Sequence, residues 1–381
     1  MLVVLTNTPT PYRTAFFNEL RDVLDGKGIP FHVLFCADVE PGRSWRYDPS
    51  ELRFAHTLMR GVHPRRADVV FHFNPSVVRL LRSLRPQSLL VAGAWNTPTM
   101  LLGSRRSFCP GARRIFWSEG HADNVRHRGG PIPLARRWVL RSFDAFAVPN
   151  ARSAAHIRSQ VGDDAQIVFL PNTVDEDFYA RRGERERLEA RARLGIAAGA
   201  RVLVQVSNLI PRKGARELAE AYVSLGREER ASSMLAFVGG GALESELREI
   251  AGRASGGGEI HLTGAQSTSG VRDWLMAADA FFLPALADAN PLAPIEASFA
   301  SLPIFLSRAA GNSPEVVEEG VNGFCIPEVA PGALAASLRR ALSMPSAELV
   351  AMGTAARANA ERRFRRAAAA ESLARALSFD A

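Results

Sequence analysis

Short, continuous apolar runs alternate with amphipathic stretches along the whole chain. The runs predict strands at Met1–Thr6, Phe31–Phe35, Ser88–Ala92, Arg114–Trp117 and Ala145–Val148. A second series follows at Arg201–Val206, Met234–Val238, Ile260–Leu262, Ala280–Leu283 and Pro303–Leu306. Between them the apolar positions take helical spacing, as in Phe16–Leu24, Ala215–Leu225, Leu243–Ala254 and Val271–Ala277. Strands apolar on both faces and separated by helices predict parallel sheets covered on both sides. The alternation occurs twice, divided near 171–187 by a turn-rich piece and a charged helix. The expected architecture is α/β: two doubly wound, Rossmann-like domains with a ligand in the interdomain cleft, at the carboxyl ends of the strands. The Ala- and Arg-rich stretch Ala355–Leu377 is helical by composition.

A length of 381 residues suits two domains, and 47% hydrophobic residues suffice for two cores. No apolar run reaches ~18 residues, so no membrane-spanning helix is expected. The opening Met1-Leu-Val-Val-Leu has no basic leader and reads as a strand rather than a signal peptide. Cys36, Cys109 and Cys325 are far apart and odd in number, giving neither a disulfide framework nor a metal spacing. A reducing cytoplasm is the expected compartment.

Charge changes the picture by its placement. Residues 1–175 carry 23 Arg and Lys against 14 Asp and Glu, a net +9, while the remainder carries 24 against 25. A basic first half attracts an anionic membrane or an acidic substrate. No nucleic-acid recognition motif accompanies it, so nucleic acid is not the expected partner.

The candidate chemistry lies at predicted strand-to-helix turns. Asp288-Ala-Asn-Pro-Leu-Ala-Pro-Ile-Glu296 follows one strand and places two carboxylates eight positions apart. A helix start offers free N–H groups and a favourable dipole, and the carboxylates accept hydroxyl protons. Asn290, Leu292 and Ala293 have backbone N–H groups to offer there, and Pro291 has none. Upstream stands Ser207-Asn-Leu-Ile-Pro-Arg-Lys-Gly214, and downstream Ala310-Gly-Asn-Ser-Pro-Glu315. Lys213 is one of only two lysines against 45 arginines, a compact ammonium suited to phosphate. Gly239-Gly-Gly241 follows a strand and reads either as a close approach to a nucleotide or as a tight turn. No His, Cys or carboxylate grouping has metal-ligand spacing. The stretch Arg126–Arg141, with Arg136, Arg137 and Trp138, reads as an interfacial basic helix or as an ordinary solvated one.

These motifs, in this order, resemble the family 4 glycosyltransferases, which have the GT-B fold. The family's Glu, seven residues, Glu appears as Asp288 to Glu296. Its Gly-Arg-Leu…Lys-Gly appears as Ser207-Asn208-Leu209…Lys213-Gly214, so Asn208 stands where the family has Arg and Arg212 is the candidate replacement charge. Gly311-Asn312-Ser313-Pro314-Glu315 and Asn322-Gly323 match further motifs, and Pro171-Asn-Thr-Val-Asp175 matches the domain junction. The resemblance implies an acceptor-side domain over 1–175 and a donor-binding domain over 176–360. It also implies a C-terminal helix, 361–381, that crosses back to the first domain. It gives Glu296 the nucleotide ribose, Asp288 the donor-sugar hydroxyls and Lys213 the diphosphate. Gly239 and Gly240 would let backbone approach the nucleotide. His121, after Trp117-Ser-Glu-Gly, is the candidate near the donor hexose, with Glu119 beside it. Tyr12 and Arg13, in the loop after the first strand, are candidate acceptor contacts.

The expected activity is retaining, metal-independent transfer of a hexose from a nucleotide sugar, the co-substrate, with no cofactor. The acceptor would be a glycan, a lipid-linked sugar or a small molecule, with peripheral contact at the cytoplasmic face of an anionic membrane. Two other readings stay open: a different GT-B chemistry, a sugar-nucleotide epimerase or a pseudo-glycosyltransferase joining non-sugar rings, or a catalytically silent GT-B binding protein.

Overall fold

The first apolar run becomes strand β1 (Leu2–Thr6), buried at every position and central in its sheet. The computed structural model describes residues 1–39, 48–66, 69–122, 129–180, 183–254 and 258–377, and these form two units. One comprises residues 1–173 and the segment from Arg366; the other comprises Val174–Arg365.

In the first unit β1 leads to α1 (Pro11–Asp25), β2 (Phe31–Phe35) and β3 (Ala55–Leu58). A short antiparallel ribbon, β4 (Arg65–Arg66) and β5 (Val69–Val70), precedes α2 (Val77–Leu84) and β6 (Ser88–Ala92). Then come α3 (Pro98–Gly103), β7 (Arg113–Trp117), α4 (Pro131–Leu140), β8 (Ala145–Val148), α5 (Ala151–Val161) and β9 (Ile167–Phe169). The strands pair in parallel in the order β3-β2-β1-β6-β7-β8-β9. Apolar side chains leave both faces of this sheet. One face is packed by Phe16, Phe17, Leu20 and Leu24 of α1. The other is packed by α2, α3, α4 and α5 through Val77, Leu81, Met100, Val139, Leu140 and Ile157.

The second unit begins with α6 (Glu176–Tyr179) and α7 (Glu184–Leu194). The alternation resumes with β10 (Arg201–Val206), α8 (Ala215–Ser224), β11 (Ser233–Val238), α9 (Glu244–Gly252), β12 (Glu259–Leu262), α10 (Thr268–Ala277) and β13 (Ala280–Leu283). It ends with α11 (Ala293–Phe299), β14 (Ile304–Ser307), α12 (Ser313–Val316), β15 (Gly323–Ile326), α13 (Pro331–Ser343) and α14 (Ser346–Arg363). Its parallel sheet runs β12-β11-β10-β13-β14-β15, with one core on each face. The last helix, α15 (Arg366–Ala376), belongs to the first unit and packs on α1 through Ala369, Ala370, Leu373 and Ala374. Both units are Rossmann-like. Each sheet reverses its strand order once, between β1 and β6 and between β10 and β13.

Several expectations shift in detail. α1 starts at Pro11 rather than near Phe16, because proline at the first helical position costs no hydrogen bond. Tyr12 and Arg13 therefore lie in a helical first turn, not in a loop. The tail expected as one helix is broken at Phe364–Arg365 into α14 and α15. β14 begins one residue after Pro303, which lacks an N–H and pairs only through its carbonyl, accepting from Phe281 N at 3.0 Å. β3, β9 and β15 went unpredicted. β3 is an exposed edge strand, β9 has three residues, and β15 opens on glycine.

Candidate active site

The carboxyl ends of β10 and β13 flank the reversal in the second sheet, where doubly wound folds bind ligands. The turn after β10 and the loop after β13 meet there. Residues Pro211–Lys213 form a single 3-10 turn, with Lys213 N donating to Ile210 O at 3.0 Å. The carbonyl of Arg212 accepts from Leu286 N at 2.8 Å and Ala287 N at 3.3 Å. Gly214 follows at φ 71°, and a β-carbon on it would lie 1.9 Å from the Pro284 carbonyl oxygen. Only glycine lets these two segments touch. From this base Lys213 Nζ reaches Asp288 Oδ2 in a short ion pair, with the two side chains 14% and 11% exposed.

Asp288 is itself held by its backbone, whose carbonyl accepts from Gly311 N at 2.8 Å. Asn312, 1% exposed, donates from Nδ2 to Pro291 O at 2.8 Å. The loop after β13 thus rests on the loop after β14. Asn290, Leu292 and Ala293 are half-buried along it, and Leu292 supplies the carbonyl that starts α11.

Glu296 is the fourth residue of α11, which starts at Ala293. Burial pushes its carboxyl up to about 7, against the pull of a hydrogen bond from the Tyr179 hydroxyl. Burial and the neighbouring Glu296 charge together raise the Tyr179 phenol. Tyr179 comes from α6, more than a hundred positions away, and has no sequence signal of its own. Gln205 is a second residue of this constellation that the sequence does not single out. It is the one uncharged polar residue of β10 and is fully buried; its Nε2 donates to the Lys213 carbonyl and to Ser207 Oγ, both at 3.1 Å. It fixes the turn that carries Lys213.

The glycine run behaves as a tight turn. A β-carbon on Gly239 would meet Ser207 O at 2.1 Å, and Gly239 N donates to Gly264 O at 3.1 Å. Gly240 O accepts from Leu209 N at 2.9 Å, and Gly241 N donates to Glu244 Oε1 at 3.0 Å. These contacts seat the turn after β11 against that after β10. Asn208 and the Arg212 side chain are exposed, the latter with only a long 3.4 Å contact to Ala287 O.

The first unit has its own constellation at the β1/β6 reversal. Arg13 Nη1 donates to Thr6 Oγ1 at 2.8 Å and Ala92 O at 3.0 Å, and Nη2 pairs with Glu119 Oε1 at 3.2 Å. Its guanidinium lies 4.8 Å over the Trp117 ring and 5.9 Å from that of Tyr12. One buried cation thereby ties together the ends of β1, β6 and β7. Burial raises the Tyr12 phenol. His121 is 2% exposed and sits near His156, whose imidazole is held below its ordinary value by burial first, then by Arg136 and His121. Arg136 turns inward, 5.7 Å over the Trp95 ring, so it does not share the exposed face of Trp138. Arg126, His127 and Arg128, expected in the same basic stretch, lie outside the described residues. No group of three or more metal-ligating side chains occurs among the described residues.

A family model, Glycosyl transferases group 1, matches residues 186–359. The chain is 30% identical over 273 residues to a GDP-mannose-dependent alpha-(1-6)-phosphatidylinositol monomannoside mannosyltransferase of Mycolicibacterium smegmatis, covering 68% of each chain. To the protein of the same name from Mycobacterium tuberculosis it is 28% identical over 240 residues, and the match spans 60% of each. A crystal structure of Anabaena HepE with UDP and glucose superposes with a TM-score of 0.73, covering 99% of both chains at 16% identity.

Proposed function

This chain belongs to the group 1 glycosyl transferases, with the GT-B fold of family 4, and we propose that it moves a hexose from a nucleotide sugar to a glycan acceptor, with retention at the anomeric carbon. The observation that carries this reading is the Lys213–Asp288 pair at the strand-order reversal, with Glu296 on the helix that follows.

In this reading the donor diphosphate takes Lys213 from Asp288. A diphosphate gains charge as it departs, so a preplaced ammonium acts on the barrier itself. Asp288, released, accepts from a donor-sugar hydroxyl. Glu296 accepts from the ribose hydroxyls as a carboxylate, and Tyr179 aims it. Amides at Asn290, Leu292 and Ala293 face the sugar and diphosphate, while Gly239 and Gly240 shape the nucleotide's surroundings, with Asn208 and Arg212 at the rim. His121, Glu119, Tyr12 and Arg13 serve the acceptor side. Lys213 supplies the positive charge that a metal would otherwise bring, so the reaction is proposed to be metal-independent. The departing diphosphate helps to deprotonate the acceptor, and no protein nucleophile is needed.

The acceptor is proposed to be carried on lipid at the cytoplasmic membrane face. The mycobacterial relatives, named for a phosphatidylinositol mannoside, support this. No helix among the described residues is long and apolar enough to cross a membrane. A thermal-shift panel of GDP, UDP and their sugars tests the donor side, because a ligand that binds only the folded state raises the melting temperature. A shift that turnover assays then convert into sugar transfer supports the reading; no shift with any nucleoside diphosphate overturns it.

A further inference from the structure

The basic excess of the first half is confined to one stretch. Residues 77–144 hold twelve arginines against three acids, a net +9 that equals the whole surplus of residues 1–175. Among the described residues seven of those arginines are exposed, on or beside α2, the turn at 105–108 and α4. All three elements pack on the same face of the first sheet, the one opposite α1.

That face also carries the two most exposed large apolar side chains among the described residues of the unit. Trp138 is 73% and Leu134 67% exposed, four residues apart and so on one side of α4. Arg141 continues the same stripe one turn further. Beside Trp138 opens a cavity of about 490 Å³, lined by Arg105, Arg106, Arg114 and three serines at its polar side and by Leu101, Val139 and the indole at its apolar side. Arg114 is the unusual member. Its side chain is 1% exposed, its Nη1 donates to Ser104 O at 2.9 Å, and Asp144 stands 3.5 Å from Nη2. Nε and Nη2 have no hydrogen-bond acceptor. Asp144 thus balances this buried guanidinium at ion-pair distance but leaves two of its donors without an acceptor, which a second anion can use.

We propose that this face docks on a bilayer carrying anionic phospholipid headgroups, with a headgroup phosphate in the arginine- and serine-lined cavity and Trp138 and Leu134 seated at the lipid interface. Indole and leucine anchors flanked by arginines are the chemistry of interfacial helices, and the positive field selects anionic over neutral lipid. The role of such docking rests on the lipid-linked acceptor proposed above, while its test needs no sugar transfer, so either can fail alone.

The full chain is sedimented with phosphatidylcholine vesicles and with vesicles of equal phosphatidylglycerol and phosphatidylcholine, at about 0.05 M and about 0.5 M salt. It should bind the anionic vesicles, only at low salt, and leave neutral ones in solution. Replacing Arg105, Arg137 and Arg141 by Gln should cut partition roughly fivefold per arginine, about a hundredfold in all. These are exposed positions, so melting temperature and nucleotide binding should stay unchanged. Leu134→Ser with Trp138→Ala should lower partition about tenfold or more. Equal partition on neutral and anionic vesicles would overturn the proposal, as would arginine variants that fold normally and partition like the unchanged chain. Binding to an oligonucleotide with none to anionic vesicles would overturn it as well.

Discussion

Lys213 and Asp288 close on each other across the point where the strand order of the second sheet reverses. Seventy-five positions separate them in the chain. Without Asp288, the ammonium of this largely covered side chain would lose its ion-pair partner, so the carboxylate holds a place that a diphosphate can take.

Removing the ammonium should therefore act on the reaction more than on donor binding. Lys213→Ala is expected to lower kcat roughly a hundredfold or more, with donor KM changed by less than about fivefold. Asp288→Asn should move the other way in binding. With its competitor gone, a nucleoside diphosphate should bind about fivefold more tightly, close to 1 kcal/mol for one ion pair. Steady-state kinetics and calorimetry check both; unchanged affinity in Asp288→Asn would show that the pair does not compete with nucleotide.

Glu296 gives a pH signature. Its ordinary value is 4.5, and burial raises it to about 7 in the folded chain. Between these values the folded state retains a proton that the unfolded state has released, so stability falls as pH rises across that window. Glu296→Gln should flatten this slope in melting temperature against pH. If the carboxylate holds the ribose, nucleotide binding near pH 6.5 should release protons, seen by calorimetry in buffers of different ionisation enthalpy. Glu296→Ala should cost roughly 2–4 kcal/mol of nucleotide affinity.

Gly214 is expected to tolerate no side chain. It combines φ 71° with a β-carbon position 1.9 Å from a backbone carbonyl that cannot rotate away. Gly214→Ala should lose at least about 1–3 kcal/mol in denaturant unfolding from the backbone strain alone. It should also lose activity, because the displaced turn carries Lys213.

Arg13 should not be replaceable by lysine. Its planar fork serves three acceptors at once and lies over Trp117, which a single ammonium cannot reproduce. Arg13→Lys is expected to cost about 1–3 kcal/mol of stability and to shift indole emission; a melt matching the unchanged chain would show the network to be incidental.

Excess chelator should leave sugar transfer unchanged, since Lys213 is proposed to neutralise the leaving group. Activity lost to EDTA and restored by magnesium or manganese would contradict metal independence.

Periodicity carried the buried strands because they are apolar on both faces: Arg201–Val206 and Ala280–Leu283 were legible to the residue. It failed at sheet edges, where Ala55–Leu58 has no core to face on either side. Motif order pointed to Lys213, Asp288 and Glu296, but not to how they are held. The hydroxyl of Tyr179 reaches Glu296 from α6, and Gln205 holds the Lys213 turn from inside a strand. Such partners are set by which strand ends neighbour each other, which local patterns do not encode. The hydrophobic spacing of Phe16–Leu24 likewise hid the start of α1, because Pro11 begins a helix without contributing an apolar position to it.

The helix α15 has a consequence for how this chain is made. Residues 174–365 form a continuous unit, whereas the unit that begins at residue 1 takes its final helix from beyond residue 365. On the ribosome the later unit is thus the first whose parts have all emerged. The earlier one waits with the α1 side of its core open to solvent until Ala369, Ala370, Leu373 and Ala374 arrive. Biosynthesis reverses the usual order of domain completion, and a nascent chain stalled with only α15 still inside the exit tunnel should carry a finished second unit and an exposed, chaperone-binding first one.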